Sequence, residues 1–266
     1  MVIHVASISD PRLADYRNIP DPDLLRERGI FVAEGRHVVR RLVAESRFLT
    51  RSLLVTPPAY ESLADLHSRL AALPVFIVDQ NAMTEIAGFN IHRGCLAIGE
   101  REALPPWSDL ARDARRLVIL EHVSNADNVG GIFRNAAAFG VDAVLLGPAC
   151  TDPLYRKAIR TSMGAALKIP FASLDGWPGD LEALRQAGFT LIALTPAPDA
   201  EDLRTSAAQR RGAAERIALL LGHEGHGLSD AAMQCADVRF RIAMAAGVDS
   251  LNVAAAAAVA LYELSR

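Results

Sequence analysis

Short apolar runs alternate with stretches of helical periodicity through the first 100 residues, a pattern that predicts a layered α/β domain. The apolar runs have the length of ordinary strands, and in two of the intervening stretches the apolar positions recur every three or four residues. The predicted strands are Gly29–Ala33, Ser52–Thr56, Pro74–Val78 and Arg93–Ile98, and the predicted helices are Arg36–Glu45 and Tyr60–Leu73. We therefore expect a small α/β domain over residues 1–100.

The second half of the chain contains runs that are apolar at every position, which is typical of parallel strands covered on both faces. The predicted strands there are Leu117–Leu120, Ala143–Leu146, Thr190–Leu194 and Ile217–Leu221, and a final helix is predicted from about Leu251 to Ser265. A polar stretch with two prolines, Gly99–Ser108, interrupts the pattern between the two halves. The sequence thus predicts a linker over residues 101–115 and a second α/β domain over residues 116–266.

Composition narrows the class of protein. The 266 residues are 51% hydrophobic and 22% charged, as in a globular protein of one large or two ordinary domains. The net charge of −3 does not indicate nucleic-acid binding, although a local basic patch would suffice for it. We expect a cytoplasmic protein with no membrane partner, because no apolar run is long enough to span a bilayer and no export signal is recognisable at the N-terminus.

The cysteines also fit a cytoplasmic protein. Cys95, Cys150 and Cys235 are isolated and odd in number, which fits a reducing compartment. Their spacing disfavours both a disulfide framework and a metal site of the Cys-x-x-Cys kind.

Three segments rich in polar residues or glycine follow or contain strand-like runs in the second half. They are Asn128–Arg134, Leu221–Ser229 and Ile242–Val253. Ligands of open α/β sheets bind at the carboxyl ends of the strands. We therefore expect the three segments to converge on one site.

In the first segment, Asn128 is a candidate helix cap, and Arg134 follows six residues later in a run of small and apolar residues. A lone arginine is most often a solvated side chain. In an apolar setting, however, its guanidinium needs a partner, which a phosphate or a carboxylate would provide.

The second segment excludes three familiar motifs. Gly222, Gly225 and Gly227 do not form the Gly-x-Gly-x-x-Gly of a dinucleotide fold, and the Lys-Ser/Thr of a P-loop is missing. His223-Glu224-Gly225-His226 is one residue shorter than a zinc-binding His-Glu-x-x-His, so we expect no metal. Two interpretations remain: a glycine-rich turn with an exposed acid, or a strand end that holds Glu224 while a ligand contacts the backbone.

In the third segment, Ser250 is a candidate N-cap of the last helix. Asn252 would then lie in the first turn, where free backbone amides favour anionic groups.

Together with Arg160–Ala165 and the following Ile169-Pro170, these segments resemble the signature of the SpoU-type (TrmH-like) RNA 2′-O-methyltransferases of the SPOUT superfamily. The resemblance covers about Arg116 to Arg266. It implies an α/β domain with a parallel sheet and a trefoil knot, S-adenosylmethionine as cofactor, and structured RNA (tRNA or rRNA) as substrate. It also implies a homodimer with each site built across the subunit interface.

The resemblance assigns roles to single residues. Arg134 would activate the ribose 2′-hydroxyl, and we favour an electrostatic role because arginine hardly ever releases its proton. The other residues implied in catalysis are Asn128, Glu224, Ser250 and Asn252, and those implied around the cofactor are Leu194, Thr195, Gly222, Ile242, Met244 and Leu251. Ala243 and Ala254 stand where the family usually has proline and serine, and we expect a loop adjustment there without loss of activity.

The first domain resembles, more loosely, the ribosomal-protein-like RNA-binding domain that is often fused to these enzymes. Phe31–Gly35 and Gly94–Ile98 carry the likeness. The candidate RNA contacts in this domain are Arg36, Arg40 and Arg41, and a solvated helix face is an equal alternative for each of them. Arg160 of the predicted second domain is a further candidate RNA contact.

Two other functions compete with RNA methylation. A catalytically silent RNA-binding protein would have been indicated by loss of Arg134, Glu224 or Asn252, and all three are present. A small-molecule enzyme such as a nucleotide-binding dehydrogenase is disfavoured because no phosphate-cradling motif precedes the three segments.

Overall fold

A computed structural model describes residues 1–5, 7–17, 20–88, 94–205, 216–248 and 250–265. Twelve strands can be given bounds in this part of the chain: β1 (Val2–His4), β2 (Ile30–Glu34), β3 (Thr50–Val55), β4 (Val75–Ile77), β5 (Cys95–Glu100), β6 (Arg116–Leu120), β7 (Ala143–Leu146), β8 (Phe171–Ser173), β9 (Thr190–Leu194), β10 (Glu201–Asp202), β11 (Ile217–Leu221) and β12 (Val238–Arg241).

The α-helices with bounds among the described residues are α1 (Asp21–Arg28), α2 (Arg36–Glu45), α3 (Pro57–Glu61), α4 (His67–Leu70), α5 (Gln80–Ala87), α6 (Trp107–Asp113), α7 (Ala126–Ala138), α8 (Arg156–Thr161), α9 (Gly179–Gln186), α10 (Asp230–Cys235) and α11 (Val253–Leu264). Short 3-10 helices cover Pro11–Tyr16, Ala64–Leu66 and Ala165–Leu167.

The chain folds into two compact units whose boundaries differ from the predicted ranges. Unit 1 comprises Met1–Ala103 and Pro153–Lys168, and unit 2 comprises Leu104–Asp152 and Ile169–Arg266. The stretch 153–168 lies within the predicted second domain but packs with unit 1. Within the predicted linker, Trp107–Asp113 is helical and belongs to unit 2.

Unit 1 is built on a mixed five-stranded sheet with the order β1-β4-β3-β5-β2. Strand β5 runs antiparallel to both of its neighbours, and the other pairs are parallel. Val38, Val39 and Leu42 form the buried face of α2, as their spacing predicts. The predicted α/β character is therefore confirmed for this unit.

One helix prediction in unit 1 is wrong. Instead of a continuous helix over Tyr60–Leu73, the structure has the short helices α3 and α4 with a 3-10 helix between them. The hydroxyl of Ser62 donates to the carbonyl oxygen of Ala59 at 2.6 Å. Such local side-chain bonds compete with the regular helical pattern and help to end α3.

Unit 2 contains a seven-stranded sheet in which every pair is parallel, with the order β10-β12-β9-β11-β6-β7-β8. The central strands are buried almost throughout, which confirms the predicted parallel sheet covered on both faces. Strands β8 and β10 were not predicted, and β12 was expected only as a strand without bounds that leads into the third polar segment. The first two are only two or three residues long, and β12 reads Val-Arg-Phe-Arg, so its apolar run is broken by arginines.

Helices α7 and α11 of unit 2 pack closely on each other. A Cβ atom added to Gly131 would lie 2.8 Å from the Cβ of Ala254, and the side-chain amide of Asn135 donates to the carbonyl oxygen of Ala254 at 2.7 Å. Small side chains at the crossing let the two backbones approach. The first and third polar segments are brought together by this contact.

Within the described ranges, none of the helices has both the length and the apolar character needed to cross a bilayer.

Candidate active site

Three side chains, one from each polar segment, form a hydrogen-bonded cluster at the carboxyl edge of the unit 2 sheet. The side-chain amide of Asn252 donates to Oδ1 of Asn128 at 2.8 Å and to Oε1 of Glu224 at 3.1 Å. The amide of Asn128 donates to the same Glu224 oxygen. We call Asn128, Glu224 and Asn252 the polar cluster. The predicted convergence of the three segments is thus confirmed.

The helix caps near this cluster differ from those predicted. Helix α7 is capped by Asn125, whose side chain accepts from the backbone N–H of Asp127 at 2.9 Å, and Asn128 lies inside the helix. Helix α11 is capped by Asn252 rather than Ser250, with its Oδ1 accepting from Ala254 N at 3.0 Å and from Ala255 N at 3.3 Å. These two N–H groups are therefore occupied, contrary to the expectation that first-turn amides would be free for an anion.

The cap gives Asn252 a fixed orientation. Its oxygen faces the helix amides, so its nitrogen must face the oxygens of Asn128 and Glu224. One side chain therefore both begins a helix and orders the polar cluster.

A cavity of about 490 Å³ lies beside the cluster, entirely within unit 2. Pockets of 300–1,000 Å³ are of the size that binds cofactors and drug-sized ligands. Its lining includes every residue predicted around the cofactor, namely Leu194, Thr195, Gly222, Ile242, Met244 and Leu251, together with Glu224 and Ser250. Strands β9, β11 and β12 all end at this cavity.

Residues 222–228, which we call the glycine loop, contribute one wall of the cavity. His223 and Gly227 exchange two backbone hydrogen bonds of 3.0 and 2.9 Å, and Gly227 has a φ of +71°. A Cβ on Gly222 would overlap the backbone of Gly227 and Leu228. The loop can fold this tightly only because position 222 carries no side chain.

His223 also stabilises the glycine loop from within. Its Nδ1 accepts from the backbone N–H of Gly225 at 2.8 Å and from that of His226 at 3.2 Å. This arrangement requires an unprotonated Nδ1. It gives His223 a structural function and not the metal-binding function that a His-Glu-x-x-His motif would have.

Arg134 is exposed, so the interpretation that its guanidinium lies in an apolar setting and therefore needs a partner is wrong. It makes no hydrogen bond or ion pair with any described residue, and it does not line the cavity. Arg134 lies six positions after Asn128 in the helix, which places the two side chains about 120° apart around α7. Arg134 therefore faces solvent on a different side of the helix from the polar cluster.

Sequence reasoning missed Glu121, which is 1% exposed and follows β6 directly. Its carboxylate accepts from the backbone N–H and the hydroxyl of Ser229, at 2.8 and 2.6 Å. The available signal was its place at a strand end, the same criterion that singled out Glu224.

The four predicted RNA-binding arginines all belong to unit 1 but do not share one environment. Arg36 and Arg40 line a cavity together with His37 and Ser62. Arg40 is held by Asp65 through bonds of 2.8 and 2.5 Å, whereas Nε of Arg36 is enclosed and has no acceptor among the described residues.

Arg160 lies within the stretch 153–168, and Arg41 contacts that stretch. Arg41 donates to the carbonyl oxygen of Met163 at 2.6 Å, and Arg160 is 3.7 Å from Glu34. The structure thus brings Arg36 and Arg40 together and leaves Arg41 and Arg160 outside their cavity.

Two cysteines are unsuited to nucleophilic chemistry. Burial raises the pKa of Cys95 to about 12 and that of Cys150 to about 11. Both thiols therefore stay protonated at neutral pH.

Comparison with known proteins identifies relatives over nearly the whole chain. The sequence model of the SpoU rRNA Methylase family matches residues 115–262. An uncharacterized tRNA/rRNA methyltransferase of Mycobacterium tuberculosis (strain ATCC 25618 / H37Rv) is 43% identical over 98% of this chain and 91% of its own length. The 23S rRNA (guanosine(2553)-2′-O)-methyltransferase RlmP of Bacillus subtilis (strain 168) is 24% identical over 98% of both chains.

A similar solved structure is that of an AdoMet-bound rRNA methyltransferase from Sinorhizobium meliloti. It aligns with a TM-score of 0.82 at 25% identity, over 99% of this chain and 97% of the other.

The capping of α11 by Asn252 can be tested by substitution. Asn252→Ala removes a helix cap and two hydrogen bonds of the polar cluster, and we expect it to lower the free energy of unfolding by about 1–2 kcal/mol. Ser250→Ala is the matched control and should change stability by less than about 0.5 kcal/mol. Urea unfolding of both variants measures this, and a larger effect for Ser250→Ala would restore Ser250 as the cap.

Proposed function

The chain belongs to the SpoU rRNA methylase family, and we propose that it transfers the methyl group of S-adenosylmethionine to a ribose 2′-hydroxyl in structured RNA, either tRNA or rRNA. The observation that carries this proposal is the polar cluster, in which Asn128, Glu224 and Asn252 meet beside a cofactor-sized cavity. The RlmP relative is named as a ribose 2′-O-methyltransferase of rRNA, which supports this choice of acceptor.

The cavity suits S-adenosylmethionine in size and chemistry. Its wall combines apolar side chains such as Leu194 and Met244 with the backbone of the glycine loop, and the carboxylate of Glu224 offers negative charge for a sulfonium. The absence of space for a Cβ at Gly222 shows that backbone is closely packed on this side. The Sinorhizobium meliloti structure was obtained with AdoMet bound, which also supports this cofactor. When bound, the cofactor supplies an electrophilic methyl group.

The side chains of the chain would then prepare the 2′-hydroxyl for attack. A ribose hydroxyl is a weak nucleophile, so it must be oriented toward the methyl group and its deprotonation must be favoured. The polar cluster has a fixed geometry that can order this part of the site, and Ser250 lines the same cavity. A guanidinium from Arg134 would stabilise the developing negative charge and bind a substrate phosphate, with the proton passing to phosphate or another acceptor.

Arg134 does not line the cavity of its own chain, so the proposal requires a homodimer in which it serves the site of a second copy. Helix α11 supports this arrangement, because Val259 and Tyr262, three residues apart on it, are apolar side chains that each have about 40% of their surface exposed. We also propose that unit 2 carries the trefoil knot of the superfamily. The return of the last helix, α11, to pack on α7 is compatible with it.

Unit 1 is proposed to bind the RNA. Arg36, His37 and Arg40 surround a cavity without an acidic residue in its lining, and the enclosed Nε of Arg36 has no acceptor among the described residues. A phosphate oxygen would provide one. The proposal places this activity in the cytoplasm, in agreement with the free cysteines of the described chain.

The proposed reaction is tested by mapping ribose 2′-O-methyl groups in total RNA from cells with and without this protein. We expect at least one site to be lost in its absence and restored by the purified protein with S-adenosylmethionine. An unchanged map, together with no heat of S-adenosylmethionine binding, would instead favour the catalytically silent RNA-binding protein.

Arg134→Ala tests whether Arg134 acts on the RNA and not on the binding of the cofactor. We expect methyl transfer to fall by at least about 100-fold, as for loss of a charge-stabilising group, while the Kd for S-adenosylmethionine stays within about twofold of wild type. Arg115→Ala, which alters another exposed arginine of unit 2, should leave both quantities unchanged. Equal loss of transfer and cofactor affinity would show that Arg134 acts on the cofactor instead.

Gly222→Ala tests the cofactor site. The added methyl group must displace the backbone of Gly227 and Leu228, so we expect the Kd for S-adenosylmethionine to rise about 10- to 100-fold. Gly179→Ala is the matched control, since a Cβ at Gly179 meets no atom within 4 Å and the position lies in unit 2. Calorimetric titration of both variants measures the difference, and equal affinities would contradict the proposed site.

A further inference from the structure

Glu121 is a buried carboxylate that the proposed reaction does not use. It is the single acidic side chain that is buried in the described part of the chain. Burial of a carboxylate is costly unless hydrogen bonds compensate it. A buried acid next to a ligand cavity therefore needs an explanation.

The contacts of Glu121 are with both ends of the glycine loop. Its backbone N–H donates to the carbonyl oxygen of Leu221 at 2.9 Å, immediately before the loop. Its Oε2 accepts from Ser229 N at 2.8 Å and its Oε1 from Ser229 Oγ at 2.6 Å, immediately after the loop. Ser229 Oγ in turn accepts from Ala232 N at 3.2 Å and caps α10. One residue thus contacts the chain on both sides of the loop, in addition to the bonds that the loop makes within itself.

Burial holds the glycine loop only at its ends, where Gly222 is buried and Leu228 packs against the core of unit 2. Every residue of the glycine loop lines the cavity, and Glu224, Gly225 and His226 at its tip are exposed. Three of its seven residues are glycines, which have the largest conformational freedom to lose. The position of this cavity wall therefore depends strongly on how its ends are held.

We propose that Glu121 is a positioning residue for the cofactor: it holds the glycine loop, through Leu221 and Ser229, in the shape that binds S-adenosylmethionine. This inference rests on the proposed function, which supplies the ligand. A loop that is already held in its bound shape loses little conformational entropy when the ligand binds. Glu121 therefore contributes to the affinity for S-adenosylmethionine and not to the methyl-transfer step.

The test uses two conservative variants of the full-length protein. Glu121→Gln keeps the size of the side chain but turns an amide NH₂ toward one of the two Ser229 donors. Ser229→Ala removes the hydroxyl bond to Glu121 together with the cap of α10, and it leaves the backbone N–H bond to Glu121 in place. For each we expect the Kd for S-adenosylmethionine to rise about tenfold in calorimetric titration. The kcat at saturating cofactor should change less than about threefold per folded protein.

Asp142→Asn is the matched control. The Oδ2 of Asp142 accepts from the backbone N–H groups of Arg115 and Arg116, at 2.8 Å each, beside the opposite end of β6. This variant also weakens hydrogen bonds from backbone N–H groups to a carboxylate of unit 2. These bonds lie at the opposite end of β6 from the glycine loop. We expect its Kd for S-adenosylmethionine to remain within about twofold of wild type. General destabilisation lowers the folded fraction, and so the titration stoichiometry, without changing the Kd of the folded molecules.

The outcomes separate the two proposals. If the wild-type protein does not bind S-adenosylmethionine, the proposed function fails. If it binds, and both Glu121→Gln and Ser229→Ala bind within about twofold of wild type, the positioning role of Glu121 is overturned. An equal loss of affinity in Asp142→Asn overturns it as well. Should Glu121→Gln fail to fold, Ser229→Ala decides alone, because it leaves the carboxylate bonded to the backbone N–H.

Discussion

The hydrogen bonds that Asn128 and Asn252 both donate to one oxygen of Glu224 hold three elements of unit 2 together at the candidate site. Each of the three side chains stands on a different structural element: Asn128 within α7, Glu224 in the loop after β11, and Asn252 at the start of α11. For all three to meet, the two helices must cross closely. Gly131 and Ala254 make that approach possible. The cluster and the helix crossing therefore depend on each other.

The same edge of the sheet shows how backbone forms one wall of the cavity. Gly222 has no room for a Cβ, and the loop that follows it closes on itself through His223 and Gly227. A wall made of backbone presents N–H and C=O groups at fixed positions, which favours a ligand with several polar atoms of its own. The cost is a loop with little burial, so its shape depends on anchors such as Glu121 and Glu224 at the sheet edge.

The sequence predicted the parallel sheet and the convergence of the three polar segments because both follow from local patterns. Continuously apolar runs such as Leu117–Leu120 leave few alternatives to buried strands. The caps were misassigned because Asn125 and Asn128, like Ser250 and Asn252, are all good capping residues, and only the helix starts decide between them. The exposure of Arg134 was missed because neighbours in sequence are not neighbours in space: Ile132 and Phe133 point inward while Arg134 faces water.

The stretch 153–168 shows that the two folded units do not coincide with the two sequence domains. It lies between β7 and β8 of the unit 2 sheet in sequence, yet Asp21 of unit 1 accepts from the backbone N–H of Arg156 at 2.9 Å and from its Nε at 2.6 Å. Leu154, Ala158 and Ile159 are completely buried there. Because this buried surface is shared with residues 1–103, neither unit can be cut from the chain as one continuous piece without exposing apolar side chains. The resemblance assigns Arg160 to the second sequence domain, but in the structure it belongs to unit 1 together with Arg36, Arg40 and Arg41. The four candidate RNA contacts therefore come from two distant parts of the sequence but from one folding unit.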